Sequence, residues 1–148
     1  MPLTPDVAFG GSDDALRRTW LAAVHESARS GALSLVADSL TPPGTGRNYY
    51  HVVVETAEGE RIRVLLNVAA RLVAASRDAD VPADGPLEFC EVPVPGSYEN
   101  VGFRVARPQE LSAPLTADRL SGLTGPLRDD VRYHGASVVG DVFFNWFD

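Results

Sequence analysis

Residues 49–56, YYHVVVET, and residues 61–68, RIRVLLNV, decide the fold of this chain. Both segments are rich in aromatic and β-branched residues, which favour strands, and the short AEGE (57–60) between them contains a glycine suited to a turn. In the second segment, apolar residues occupy every even position from 62 to 68, so one side of the strand is apolar. The pattern predicts an antiparallel β-hairpin.

The register of this hairpin follows from keeping apolar and polar residues on separate faces. A register whose paired residue numbers sum to 118 places Val54 opposite Val64 and Glu55 opposite Arg63. A register that sums to 117 would place Val54 opposite Arg63, because a slip of one residue moves every side chain to the other face. We therefore predict the first register, with a cross-strand pair between Glu55 and Arg63.

The second face of the predicted hairpin carries polar side chains, namely His51, Glu55, Arg61 and Arg63, together with Asn67. Such a set could form a binding surface, and it could equally be the solvated face of an antiparallel sheet. We take His51, Glu55, Arg61 and Arg63 as candidate binding residues, while the alternative of a plain solvated face stays open.

The segment before the hairpin predicts a helix over about residues 13–30. Trp20 and Val24 are four residues apart within an apolar stripe that repeats at helical spacing. Ser12 is suited to the N-cap of this helix, and Gly31 is suited to its C-terminal stop.

The remaining segments are shorter. Strand-forming residues are enriched in three of them: 32–40, 87–94 and 101–108. Proline and glycine indicate loops at 41–48 and 77–86. Residues 69–76 could either continue the second strand of the hairpin or form a short alanine-rich helix. Short helices are predicted after Thr116, as an N-cap, and near Pro126, in a first turn.

The chain ends with VVGDVFFNWFD (138–148), whose apolar residues fit a helix capped by Ser137. Two adjacent rows at four-residue spacing make one stripe: Val138, Val142, Trp146, and Val139, Phe143, Phe147. The stripe could bind in a groove of a partner or pack on the chain's own sheet, and we predict the second. Phe144 falls on the other side of this helix, which makes it a candidate contact with a partner.

The order of elements predicts the fold class. Strands joined by turns pair in antiparallel fashion, and helices segregated from strands indicate an α+β fold. We predict an antiparallel β-sheet of four to six strands packed by an N-terminal helix and short C-terminal helices. The length of 148 residues fits a single globular domain over residues 1–148, with 1–11 as a loosely ordered lead-in.

The reactive side chains do not match a catalytic or metal-binding motif. The three histidines lie far apart, and the glutamates beside Cys90 disfavour its thiolate, so a buried thiol is expected. The chain has no lysine, which excludes Schiff-base chemistry and a P-loop lysine. The stretch GTGR (44–47) could present backbone N–H groups to an anion, although a plain loop is the simpler interpretation. We predict no catalytic residue, no metal site and no cofactor.

Charge and composition narrow the classes of partner. A net charge of −7 argues against nucleic acid, and no apolar run approaches the ~18 residues of a membrane span. A single cysteine fits a reducing, cytoplasmic location. All 13 basic residues are arginine, which suggests a GC-rich bacterial genome.

These observations lead to two hypotheses about function. The first is a small acidic, non-enzymatic bacterial protein that binds another protein, as an accessory or toxin-neutralising module. The second is a small-ligand-binding protein or enzyme that uses the loop 41–48 and the face with His51, Arg61 and Arg63. A protein partner is expected in the first case, since an acidic surface suits a basic partner. In either case two copies could form a homodimer through an edge strand.

Overall fold

The computed structural model describes residues 13–44, 47–77 and 85–145. In these residues the helices are Asp13–Gly31 (α1), Gly96–Glu99 (α2), Pro108–Leu111 (α3), Ala117–Ser121 (α4), Gly125–His134 (α5) and Val139–Phe143 (α6). The strands are Ser34–Leu35 (β1), Tyr50–Glu55 (β2), Arg61–Asn67 (β3), Leu72–Ser76 (β4), Phe89–Cys90 (β5) and Arg104–Val105 (β6). The predictions for the lead-in 1–11, for Ser12, Trp146 and Phe147, and for most of the loop 77–86 lie outside the described residues.

The strands form one sheet in the order β1–β2–β3–β4–β5, and each neighbouring pair in that order is antiparallel. The fold is α+β, as predicted. β6 departs from the pattern because it pairs with β4 in parallel, beside the residues of β4 that β5 leaves uncovered. Residues 69–76 form neither a helix nor a continuation of β3, because the turn that ends at Arg71 leads into a separate antiparallel strand, β4.

The hairpin of β2 and β3 has the predicted faces but not the predicted pairs. Paired residue numbers sum to 116, so Val54 lies opposite Ile62 and Glu55 opposite Arg61. The predicted Glu55–Arg63 pair is wrong by two residues. The turn explains the shift, because Gly59 adopts φ +84° and closes a three-residue loop between Thr56 and Glu60.

The first face of the sheet is packed by α1, as predicted. Trp20 and Val24 are fully buried there against Val52 and Val64. The Trp20 and Tyr50 rings are tilted with their centroids 6.3 Å apart. α1 ends at Gly31, and the following Ala32 takes the left-handed conformation at φ +54°. This layer holds the largest buried side chain of the described chain.

The second face is covered as well, so it is neither an open binding surface nor a plain solvated face, the two alternatives that the sequence left open. Leu65 and Ala74 of the sheet pack with Leu111 of α3 and with Val139 and Phe143 of α6. Val142 of α6 also packs with Val131 of α5 and with Leu123, which lies between α4 and α5. The sheet therefore lies between two helical layers.

The C-terminal helix is shorter than predicted. α6 begins after Val138, which is its N-cap, so Ser137 does not have that role. The carboxylate of Asp141 accepts hydrogen bonds from the backbone N–H groups of Ser137 (2.9 Å) and Val138 (3.2 Å). The Thr116 hydroxyl caps α4, as predicted. Pro126 lies in the first turn of α5, as predicted, and Thr124, which was not predicted, is the N-cap of that helix.

The segments 32–40, 87–94 and 101–108 contain strands of two residues each, much shorter than their composition predicts. Along the outer edge of β2, the two residues of β1 cover one end, and an isolated bridge between Thr41 and His51 covers the other. β5 and β6 divide the outer edge of β4 in the same way.

Candidate functional site

Two of the predicted binding residues, His51 and Arg63, lie on the covered second face. Their exposed fractions are 8% and 4%. In the observed register Arg63 is diagonal to His51, and on its other side it is directly opposite Ser76 of β4. Diagonal positions in a sheet are roughly 7–8 Å apart, so the two side chains are neighbours. The structure brings them together inside the protein and not on an open face.

The other two predicted residues, Glu55 and Arg61, lie together at the end of the hairpin. Oε2 of Glu55 accepts a hydrogen bond from Nε of Arg61 at 3.1 Å, and both side chains are nearly half exposed. Exposed pairs of this kind contribute about 0.2–1 kcal/mol. His51 is paired with Leu65 of β3, and Arg61 lies four residues from Leu65 along that strand. The predicted grouping of His51, Arg61 and Arg63 therefore does not form.

Phe144 is buried, so its predicted role as an exposed contact is wrong. It is 1% exposed, and its ring packs edge-on against Tyr49 and tilted against Phe89, with centroids 5.7 Å and 6.0 Å apart. The physical reason is that α6 ends at Phe143. Phe144 has non-helical backbone angles (φ −127°, ψ 68°), so helical spacing no longer determines the side to which its ring points.

A row of polar side chains leads from the loop 41–48 into β2. Arg47, Tyr49 and His51 occupy alternate positions, which places them along one side of an extended chain. The Tyr49 and His51 rings are 6.0 Å apart. His51 is a predicted binding residue, and Arg47 lies in the predicted loop 41–48 at the end of the GTGR stretch. Tyr49 is the residue that the sequence did not indicate as a site residue, and counting back two positions from His51 would have found it.

Each of these three residues has a buried polar atom that makes no hydrogen bond within the described part of the chain. These atoms are Nε of Arg47, the hydroxyl of Tyr49, and both ring nitrogens of His51. A neighbouring nitrogen of Arg47, Nη2, donates to the carbonyl of Pro42 at 3.4 Å. Buried polar groups are almost always hydrogen-bonded, so unsatisfied atoms on three residues at alternate positions mark a candidate site.

The charges that act on the Tyr49 and His51 side chains are the positive charges of Arg47 and Arg63. Burial, followed by the charges of Arg63 and Arg47, lowers the pKa of His51 to about 4. The imidazole is therefore neutral at pH 7, with one ring nitrogen as a donor and the other as an acceptor. Burial raises the pKa of Tyr49, and the same two arginines partly oppose this, so its hydroxyl remains protonated.

No known protein family, characterised protein or solved structure matches this chain. Within the described ranges, no three His, Cys, Asp or Glu side chains are grouped to hold a metal ion. No helix in the same ranges is long and apolar enough to cross a membrane.

Cys90 is buried on the first face, as predicted. Burial raises the pKa of its thiol, and the nearby carboxylates of Glu60, Glu88 and Glu91 act in the same direction, while Arg77 opposes them. The thiol therefore remains protonated at neutral pH. A protonated, 6% exposed thiol is a poor nucleophile.

A second candidate site is a groove of about 550 Å³ between α1 and the segment that contains α2. Ala22 and Ala23 of α1 line one wall, and Val94 and Val101 line the other. Val101 is 48% exposed, so part of its side chain is accessible at this wall. The groove is on the outer side of the first helical layer, remote from the second face of the sheet.

Val94 is strained at the wall of this groove. It adopts φ +50°, a conformation that is a rare outlier for a β-branched residue. Gly31 makes room for it, because a Cβ at Gly31 would lie 2.5 Å from Cγ2 of Val94. Conformations of this kind cost on the order of 1–3 kcal/mol and concentrate at binding and active sites. The lining also includes the charged residues Glu26 and Arg29, so the groove combines apolar and polar walls with local strain.

Proposed function

We propose that this chain is a small acidic, non-enzymatic bacterial protein-binding module that acts as an accessory or toxin-neutralising protein. The observation that carries the proposal is the groove between α1 and α2, with the strained Val94 and the exposed Val101 in one wall. A groove of this kind suits a single apolar anchor from a partner, since buried anchors in pockets supply most of the affinity of protein interfaces.

The net charge defines the chemistry of the partner. At −7 the chain attracts a protein with a basic surface, and complementary charge accelerates association. A toxin that acts on nucleic acid has such a surface, because it must bind phosphate. The proposed partner is therefore a basic protein that presents an apolar side chain to the groove.

The state of the buried reactive groups supports a non-enzymatic role. The Cys90 thiol is held in its protonated form, and the lowered pKa makes His51 a weak base at neutral pH. General bases in enzymes usually have a pKa near the working pH. At neutral pH the Cys90 thiol is therefore a poor nucleophile and His51 a poor general base.

The test uses two matched variants of α1. Ala22→Arg fills the groove, whereas Ala15→Arg adds the same side chain at an exposed position of α1 away from the groove. The wild-type chain and each variant are immobilised and exposed to lysate of the native cell. A partner that binds in the groove is retained by wild type and by Ala15→Arg, and is lost with Ala22→Arg.

The retained protein is then purified and its affinity for all three chains is measured by calorimetry at low and high salt. We expect Ala22→Arg to weaken binding at least roughly ten-fold, equivalent to about 1.4 kcal/mol, and salt to weaken binding to wild type. Equal retention by Ala22→Arg and wild type, or no protein retained above background, would contradict the proposal.

A further inference from the structure

The row of Arg47, Tyr49 and His51 calls for a role of its own, because it lies on the opposite side of the sheet from the groove. His51 is 8% exposed and Tyr49 is fully buried. Their polar atoms, with Nε of Arg47, make no hydrogen bond within the described residues. Leaving such groups unsatisfied is costly, whereas apolar residues of the same shape would avoid the cost.

We propose that Arg47, Tyr49 and His51 form a binding site for a small oxyanion, a carboxylate or a phosphate. The Tyr49 hydroxyl and one ring nitrogen of His51 can each donate a hydrogen bond to the anion, and the guanidinium of Arg47 supplies charge and further donors. This site is independent of the proposed protein-binding groove.

The charge of the surroundings selects an anion over a neutral ligand. Arg47 and Arg63 both act on the Tyr49 and His51 rings, and both charges are positive. The chain as a whole has a net charge of −7, whereas the two arginine charges that act on these buried rings are positive. A guanidinium matches the geometry of a carboxylate or phosphate, which favours these oxyanions over chloride.

The contacts that Tyr49 and His51 make with Phe144 and Thr41 limit the size of the ligand. Phe144 packs against Tyr49 at 5.7 Å between centroids and closes that end of the row. Thr41 is hydrogen-bonded to the backbone of His51 in both directions, at 2.8 Å and 3.0 Å, which closes the strand edge beside it. The site therefore accepts an anion of a few heavy atoms rather than an extended molecule.

The test measures thermal unfolding and calorimetric binding of the intact chain at pH 7 with phosphate, acetate or chloride at matched ionic strength. We expect phosphate or acetate to raise the melting temperature above the chloride value, since a ligand bound to the native state stabilises it. The oxyanion that binds more tightly identifies the preferred class of ligand.

Three variants give the inference its specificity. Arg47→Met and Tyr49→Phe should each weaken binding of the preferred anion by roughly ten-fold or more, because each loses a hydrogen bond to a charged group. Without the anion, Tyr49→Phe should melt at or above the wild-type temperature, since its hydroxyl has no partner among the described residues. Arg18→Met removes the same charge from the exposed side of α1 and should bind as wild type does.

The inference is overturned if neither oxyanion raises the melting temperature above chloride. It is also overturned if Arg47→Met and Tyr49→Phe bind the anion with wild-type affinity, or if Arg18→Met weakens binding as much as Arg47→Met. Because all measurements use the isolated chain, their outcome does not depend on whether a protein partner occupies the α1–α2 groove.

Discussion

Asn67 at the end of β3 donates a hydrogen bond from Nδ2 to the carbonyl oxygen of Phe143 at the end of α6, at 2.7 Å. The other end of the same amide accepts a hydrogen bond from the backbone N–H of Ala70 at 3.1 Å. One buried side chain therefore holds both the turn after β3 and the C-terminal helix on the second face of the sheet.

Replacing Asn67 by leucine should lower the free energy of unfolding by about 1–3 kcal/mol, because the buried carbonyl of Phe143 loses its donor. Urea unfolding followed by circular dichroism measures the loss. The matched control is Asn48→Ala, since exposed Asn48 makes a longer bond of 3.4 Å to the carbonyl of Val142 and one to Asn145. An equal loss for both variants would show that Asn67 has no special role.

Gly140 of α6 lies against Phe89, and Gly140→Ala should destabilise the protein by about 1–3 kcal/mol through overpacking. A Cβ there would clash with the Phe89 ring and lie 3.0 Å from the carbonyl oxygen of Leu111. Gly125→Ala is the control, because a Cβ at that position meets nothing within 4 Å. Thermal unfolding should show a lower melting temperature for the first variant and an unchanged or slightly higher one for the second.

Phe144→Ala should lower the free energy of unfolding by about 3–5 kcal/mol, which is usual for truncation of a buried aromatic ring. Tyr133→Ala, at a residue that is 85% exposed, should change it by less than about 0.5 kcal/mol. Chemical denaturation of the two variants decides between a core and a surface role. A Phe144→Ala variant as stable as wild type would restore the interpretation of Phe144 as a partner contact.

The lowered pKa of His51 makes its contribution to stability depend on pH. The ordinary pKa is 6.5 and the pKa in the folded chain is about 4, so between these limits the unfolded chain binds more protons at this residue. The contribution of His51 is therefore fully present above pH 6.5 and is lost as the pH falls towards 4, by about 3 kcal/mol.

Urea unfolding at several pH values from 4 to 8 measures this loss, and His51→Gln should remove most of it. His25→Gln, at an exposed position of α1, serves as the control and should retain the wild-type loss. A His51→Gln variant with an unchanged pH profile would contradict the assignment.

Val94→Gly should stabilise the folded protein by about 1 kcal/mol, because glycine adopts φ +50° without strain and this gain exceeds its larger loss of chain entropy. Val92→Gly, at a 4% exposed position two residues earlier, should destabilise it instead. Melting temperatures of the two variants therefore move in opposite directions. A lower melting temperature for Val94→Gly would show that contacts of the valine outweigh its strain.

The faces of the hairpin could be predicted from the sequence, but its exact pairs could not. Segregating apolar from polar residues excludes registers of the wrong parity, and that exclusion was correct. Registers whose paired residue numbers sum to 116 or to 118 place the same side chains on each face, so the apolar pattern does not distinguish these two registers. The choice depends on the turn, where the positive φ of Gly59 fixes a three-residue loop.

The candidate site could be predicted only in part, since its burial depends on distant segments. His51 and Arg63 are recognisable as polar residues on one strand face, but nothing near them in sequence indicates that α3 and α6 cover that face. The apolar stripe of the C-terminal segment predicted that it would pack inward. The same helical spacing predicted the wrong side for Phe144. The reason is that the helix ends one residue earlier, at Phe143, and spacing does not reveal where a helix ends.

The two-residue strands at the borders of the sheet limit how copies of this chain can polymerise. A long open edge is a template onto which another copy can add a strand, and repetition of that step builds fibres. Here the border segments are β1 on one side and β5 and β6 on the other, each two residues long. A strand added to any of them would gain only a few backbone hydrogen bonds. Self-assembly by continuation of the sheet is therefore disfavoured, and contact between copies would depend on side chains.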